Sequence, residues 1–285
     1  MFDPTPHTDQ KPPDDGDSSP GNRTAPSPLK LVADLGEAAE MIAFKHSVFA
    51  LPFAVMSLIT AAGEGWPQLR IWIWVIVAMV AARTAAMSFN RLVDHHIDAE
   101  NPRTAVRSLP AGRLSRGFAW TLTTAAAVVF VIAAGALNRL ALVLAVPTLG
   151  VLLGYSFAKR LTSGAHLWLG LALGIAPVGA WIAVTGALAW PPTVLAGAVM
   201  FWVAGFDTIY SLQDESFDRT HGLRSLPARY GAQLALRIAG LFHVLALVGF
   251  FVFAVAAGGG AVRLAAVAAA ALKAAMGGGK PVIDR

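Results

Sequence analysis

The chain has 285 residues, of which 56% are hydrophobic and only 14% charged, and it contains no cysteine. So little charge excludes an ordinary soluble domain, where about a quarter of the residues are charged, and the missing thiols exclude disulfide frameworks, thiolate nucleophiles and cysteine zinc sites. The formal charge of +5 does not point to nucleic acid, because the basic residues sit in loops between apolar runs, where membrane orientation and anionic headgroups account for them.

Residues 1–30 combine Pro, Asp, Ser and Thr with few large apolar side chains. That composition predicts a disordered tail, and it lacks the basic start and apolar core of a cleaved signal peptide. Apolar runs of about 20 residues, the length that crosses a bilayer core, predict helices at 43–62, 70–89, 117–137, 139–158, 165–186, 192–212 and 234–257. A weaker eighth at 261–276 carries Arg263 and Lys273 and lies between two Gly-Gly-Gly joints. The expected fold class is therefore all-α, a multi-pass transmembrane bundle of seven clear helices and one weak one. It occupies 31–276, with a short tail at 277–285. Gly174 and Pro177 inside the fifth run are read as sites of close packing or kinking.

The loops at 90–116, 159–164 and 213–231 hold five, two and three basic residues, whereas the alternate loops hold only Arg70, Arg139 and Arg263. The positive-inside rule then predicts a cytoplasmic amino terminus and cytoplasmic basic loops, with Trp66, Trp72 and Trp190 near the opposite interface. Asn22-Arg23-Thr24 matches a glycosylation sequon, but this orientation keeps it inside.

Two basic loops follow acidic motifs. Asn90, Asp94 and Asp98 are spaced by four, which stacks three oxygen-bearing side chains on one helix face about 6 Å apart. Asp207, Asp214 and Asp218 are spaced by seven and four, which on a continuous helix again returns to one face, shared by Tyr210 and Ser211. Arg107-Ser108-Leu109-Pro110-Ala111 follows the first motif and Arg224-Ser225-Leu226-Pro227-Ala228 the second. We read an internal duplication, each half ending a membrane helix in acids and then a basic Ser-Leu-Pro-Ala loop.

Six converging acid or amide groups suit a hard cation such as Mg²⁺, which keeps oxygen ligands and is typically completed by substrate phosphates. Arg91, Arg103, Arg107, Lys159, Arg160 and Arg224 stand beside the acids and could meet a diphosphate, although singly each also fits a headgroup-snorkelling role. Lys45 either snorkels from the start of the first run or reaches the phosphate. Tyr155 and Tyr210 either face a cationic intermediate with their rings or are ordinary interfacial tyrosines. His95 and His96, being adjacent, point apart on a helix and are read as solvated, as is His221. A phosphatidyltransferase of the CDP-alcohol type would gather its acids into one glycine-containing motif. An ion-coupled repeat transporter would place them near mid-membrane in broken helices. Two distant motifs at helix ends beside basic loops favour phosphate chemistry instead.

The segments Asn90-Arg-Leu-Val-Asp94-His-His-Ile-Asp98, Asn101-Pro-Arg-Thr104 and Asp207-Thr-Ile-Tyr210-Ser-Leu-Gln-Asp214-Glu-Ser-Phe-Asp218 resemble the two aspartate-rich motifs of the UbiA superfamily of intramembrane prenyltransferases. Lys45-His-Ser-Val-Phe-Ala-Leu-Pro52 and Tyr155-Ser-Phe-Ala-Lys-Arg160 are similar to that family's first- and fourth-helix segments, and the likeness runs from about residue 40 to 250. Within the family the chain looks most like the bacterial 4-hydroxybenzoate polyprenyltransferases and their naphthoate-prenylating relatives of menaquinone synthesis. The resemblance implies nine helices around a central cavity that opens to the bilayer. The chain departs from that pattern at its end, where the family's last helix is missing or altered. It further implies a bacterial inner-membrane enzyme with its site facing the cytoplasm. Its substrates would be a polyprenyl diphosphate and an aromatic acid, its cofactor Mg²⁺, with no nucleic acid and no obligate protein partner. By that likeness Asn90, Asp94, Asp98, Asp207, Asp214 and Asp218 hold metal. Asp94, Asp98, Asp214, Asp218, Lys159 and Arg107 are catalytic. Lys45, Asn90, Arg91, Arg103, Tyr155, Arg160, Tyr210, Arg224 and Ser225 bind substrate.

Overall fold

The computed structural model describes Asp34, Gly36, Glu37 and residues 50–258. Lys45, the expected tails at 1–30 and 277–285 and the weak helix at 261–276 lie outside the described residues. Within them every regular element is helical. We label the helices α1 (Leu51–Ala62), α2 (Leu69–Glu100), α3 (Arg116–Leu137), α4 (Arg139–Leu161), α5 (Ala165–Thr185), α6 (Trp190–Tyr210), α7 (Glu215–Thr220), α8 (Leu226–Tyr230) and α9 (Ala232–Ala256). A 3₁₀ turn at Ser211–Asp214 joins α6 to α7. Six helical segments, α2 to α6 and α9, are long and apolar enough to cross a membrane; the described part of α1 is shorter.

Local chemistry sets the helix ends. Ser115 accepts from the Phe118 amide at the start of α3, and Asn138 accepts from the Ala141 amide at the start of α4, satisfying donors that a helix start leaves open. Proline occupies the first positions of α1, α6 and α8, where its missing N–H costs nothing. Gly186 ends α5 at φ 67°, a left-handed conformation that glycine adopts without steric penalty.

The helices alternate in direction, so the C-terminal ends of α2, α4 and α6 meet at one end of the bundle. Helix α5 packs along α6, α6 along α9, α2 along α3, and α1 against α5, while α4 touches α2, α3 and α5. The α5–α6 seam is especially tight. A Cβ on Gly170 would lie 2.1 Å from the Met200 carbonyl oxygen and one on Gly174 2.6 Å from that of Ala196, so small residues let the two backbones touch. Ser57 on α1, fully buried, donates to the Pro177 carbonyl at 2.6 Å. Gly174 and Pro177 thus serve packing. Leu195, Val199, Val203, Phe250 and Phe253 fill the α6–α9 interface, while Val146, Val248, Phe251 and Val255 face outward, as side chains solvated by lipid do.

Helix α2 runs past the apolar span expected at 70–89 and continues without a break through the first acidic motif to Glu100, as the one-face spacing of Asn90, Asp94 and Asp98 requires. The apolar run ends near Phe89; beyond it Arg91 pairs with Asp98 along the helix, Asp98 with Arg107 of the following loop and Asp94 with Arg160 of α4.

Candidate active site

The ends of α2, α4 and α6 enclose a cavity of about 490 Å³. Its deeper wall is apolar, with Met87, Leu169, Leu173, Trp202, Val203 and Phe206. Its mouth carries Asn90, Arg91, Asp94, Asp98, Arg103, Arg107, Tyr155, Lys159, Arg160, Asp207, Tyr210, Asp214 and Asp218. Six oxygen-bearing residues from two motifs more than a hundred positions apart therefore line one space.

Each acid in that space faces a cation or an imidazole. Asp94 Oδ1 accepts from Arg160 at 2.8 Å, and its Oδ2 accepts from the Asn90 amide at 2.9 Å. Arg107 Nη1 reaches both oxygens of Asp98 at 2.8 Å, with Arg91 3.6 Å from the same carboxylate. Arg103 clasps Asp214 through two nitrogens, Nε at 3.0 Å, and lies over the Tyr210 ring with 5.5 Å to its centroid. The hydrogen bond to Asp214 lifts the Arg103 pKa above its ordinary value, and the group stays cationic. Asp207 Oδ2 meets His166 Nδ1 at 2.6 Å. Asp218 is the exception: its Oδ2 is buried without a hydrogen-bond donor, and Lys159 Nζ stands 4.0 Å away.

The second motif is not the continuous helix that its spacing suggests. The 3₁₀ turn at Ser211–Asp214 interrupts it, so Asp207 belongs to α6, Asp214 to the turn and Asp218 to α7. A 3₁₀ turn advances more per residue than an α-turn, and the three acids reach the cavity from three elements rather than from one face.

Two expected binding residues stand elsewhere. Arg224 does not line the cavity: its Nη1 donates to the Leu161 carbonyl at 2.8 Å, and its amide donates to the Lys159 carbonyl at 2.8 Å, closing the C-terminal end of α4. Ser225 is fully buried, and its hydroxyl accepts from the Ala228 amide as the N-cap of α8. The histidines read as solvated are only partly so. His95 Nδ1 is buried without a partner, whereas His221 stacks on Phe217 and approaches Glu100 at 3.1 Å. Conversely, two site residues went unread in the sequence. Arg83 lines the cavity wall inside the apolar run of α2, two turns or about 10 Å before Asn90. His166 begins α5 and reaches Asp207, 41 positions away.

An oxygen-only donor set, with one buried carboxylate oxygen lacking a donor, fits a hard divalent cation. Among the described residues no three acids stand close enough together to enclose such an ion unaided. Asp94, Asp98 and Asp214 are each paired with an arginine instead.

The chain matches the UbiA prenyltransferase family over residues 50–277. It belongs to that family. It is 31% identical over 195 residues to the 4-hydroxybenzoate octaprenyltransferase of Methylobacillus flagellatus, a match covering 68% of this chain and 64% of that enzyme. The chain thus spans just under two thirds of that relative's length. Among solved structures, the UbiA homologue of Aeropyrum pernix K1 superposes with a TM-score of 0.77 at 37% identity, covering 82% of this chain and 87% of that one. The homologue of Archaeoglobus fulgidus bound to DMAPP and Mg²⁺ shares the fold, with a TM-score of 0.64 at 18% identity over 85% of this chain and 86% of its own. The six long apolar helices among the described residues and this family make the chain a multi-pass membrane protein.

Proposed function

We propose that the chain transfers a polyprenyl group from its diphosphate to an aromatic acid of the 4-hydroxybenzoate type, with its acidic end on the cytoplasmic side of a bacterial inner membrane. The observation that carries this reading is the polarity of the cavity, whose acid- and base-lined mouth leads inward to an apolar wall. A prenyl diphosphate has the same two-part character. The relatives support the donor and the acceptor: one is a 4-hydroxybenzoate octaprenyltransferase and another was solved with a prenyl diphosphate and Mg²⁺. The positive-inside bias of the loops supports the orientation.

In this reading Asn90, Asp94, Asp98, Asp207, Asp214 and Asp218 would hold Mg²⁺. When bound, the metal supplies Lewis-acid neutralisation of the departing diphosphate. Arg103, Arg107, Lys159 and Arg160 turn from their carboxylates toward the phosphate oxygens, a preorganised cationic cradle for the charge that develops as the allylic C–O bond breaks. Leu169, Leu173, Trp202 and Phe206 keep water from the allylic cation, and the rings of Tyr155 and Tyr210 offer it a negative π-face. Arg83, a cation set in the apolar wall, would orient the acceptor's carboxylate through its planar fork. The acceptor's electron-rich ring carbon then attacks the cation, and loss of the proton from that carbon restores the aromatic ring.

Membranes containing the chain, incubated with labelled polyprenyl diphosphate, Mg²⁺ and 4-hydroxybenzoate, should yield a labelled lipid-soluble acid whose formation stops in excess chelator. Absence of prenyl transfer to any aromatic acid, from protein shown to be inserted, would overturn the proposal.

A further inference from the structure

His166 is fully buried at the start of α5, and both ring nitrogens are engaged. Nε2 accepts from the backbone amide of Leu226 at 3.2 Å, and Nδ1 meets Asp207 Oδ2 at 2.6 Å. An amide can only donate, so Nε2 bears no proton and the ring's hydrogen sits on Nδ1, aimed at the carboxylate. Three elements are thereby tied through one ring: α5, the carboxylate of α6 and the second Ser-Leu-Pro-Ala loop at the start of α8. Ser225 and Pro227, on either side of Leu226, are themselves buried, so the donating amide is fixed. The tight α5–α6 seam at Gly170 and Gly174 fixes the ring against α6.

We infer that His166 is a positioning residue: it directs Asp207 by donating from Nδ1, and the second basic loop sets the tautomer that lets it do so. The inference rests on the reading of Asp207 as a metal-holding carboxylate. It gives the second loop a function that phosphate contact does not, since Arg224 and Ser225 do not line the cavity. One oxygen of Asp207 is held by the ring, which orients the carboxylate toward the cavity that Asp207 lines. Hydrogen-bonded carboxylates of this kind commonly control metal affinity through their outer partner.

Two conservative variants separate the two bonds. His166→Asn keeps an N–H near the Nδ1 position but loses the acceptor for Leu226; His166→Gln offers an acceptor near Nε2 but no donor to Asp207. In the metal-free wild type, ¹⁵N-histidine spectra should contain one ring protonated at Nδ1 and bare at Nε2, absent from both variants. Mn²⁺ titration followed by its paramagnetic resonance should give a half-saturation raised about tenfold or more in His166→Gln, the scale of lost outer-shell partners, and by less in His166→Asn. A ring protonated at Nε2, Mn²⁺ binding by His166→Gln equal to wild type, or equal losses in both variants would each overturn the positioning role. Wild type that shows the tautomer and the Mn²⁺ difference but transfers no prenyl group would support His166's role and count against the proposed reaction instead.

Discussion

The two acidic motifs have similar residues, yet they are held in different ways. The first lies on one unbroken helix, and its acids are balanced by charge: Arg107 and Arg91 on Asp98, Arg160 on Asp94. The second is broken into α6, a 3₁₀ turn and α7, and its acids have unlike partners: Arg103 clasps Asp214, His166, itself fixed by the Leu226 amide, meets Asp207, and Lys159 comes only within 4.0 Å of Asp218. Even the repeated Ser-Leu-Pro-Ala loops diverge. Ser108 donates to Glu37, a bond that with Arg113 keeps that carboxyl below the usual carboxylate range, whereas Ser225 caps a helix. The two motifs share their acids but not their supports. A pre-paired motif and one with a buried, donor-free carboxylate oxygen therefore meet across one cavity.

The largest expected effect tests whether these acids are equivalent in chemistry but not in support. Asp98→Asn and Asp218→Asn should each lower kcat by about 10²–10³-fold, the scale of removing one preorganised charge-stabilising group. Their stabilities should part. Asp98→Asn leaves Arg107 without its two-oxygen partner and should lower stability by roughly 2 kcal/mol, allowing for the partial exposure of the pair. Asp218→Asn removes a buried charge with no hydrogen-bond donor on Oδ2 and should leave the melting temperature in detergent unchanged or raised. Equal melting losses in both variants would erase the distinction between the motifs.

A smaller effect sharpens the comparison between the loops. Arg107 and Arg224 occupy the same place in the repeated sequence, but only Arg107 lines the cavity. Arg107→Ala should cost about 10–100-fold in kcat/KM, as loss of a charged partner at an active-site carboxylate does. Arg224→Ala should cost about 1 kcal/mol of stability through the lost bond to the Leu161 carbonyl, with turnover per folded enzyme near wild type. Equal kinetic losses would restore Arg224 to the site.

Much of this arrangement was legible in the sequence because helical periodicity is local. The spacing of Asn90, Asp94 and Asp98 is enough to align them, and the apolar run lengths place the spans. The helical reading of the first motif holds through to Glu100, and only the apolar-run bound at 89 falls short of the helix end, because charged residues do not count toward a span. Nearness in sequence also misled: Arg224 stands close to the second acids along the chain, but the short link after Asp218 carries it to the C-terminal end of α4. Arg83 looked like one interruption in an apolar span. His166 carries no local signal, because both of its partners are tens of residues away and one of them is a backbone amide.

The smallest effects fall on the acids that flank the two motifs. Glu100 is 62% exposed and meets His221 at 3.1 Å, and Glu215 pairs with Arg219 one turn along α7 at 2.8 Å. Neither lines the cavity. Glu100 ends α2 two residues beyond Asp98, a rotation of about 200° that carries it away from the aligned acids. Glu215 follows Asp214 directly and leaves the 3₁₀ turn in another direction. Exposed pairs of this kind are screened by water and contribute little, so Glu100→Gln and Glu215→Gln should keep prenyl transfer within about twofold of wild type at equal amounts of inserted protein. Their melting temperatures should stay within about 2 °C. The two need not respond alike if the asymmetry of the motifs extends this far. Loss of turnover in Glu215→Gln alone would mean that the broken second motif turns a fourth acid inward, and loss in Glu100→Gln would mean that the end of α2 rotates when the cavity is filled.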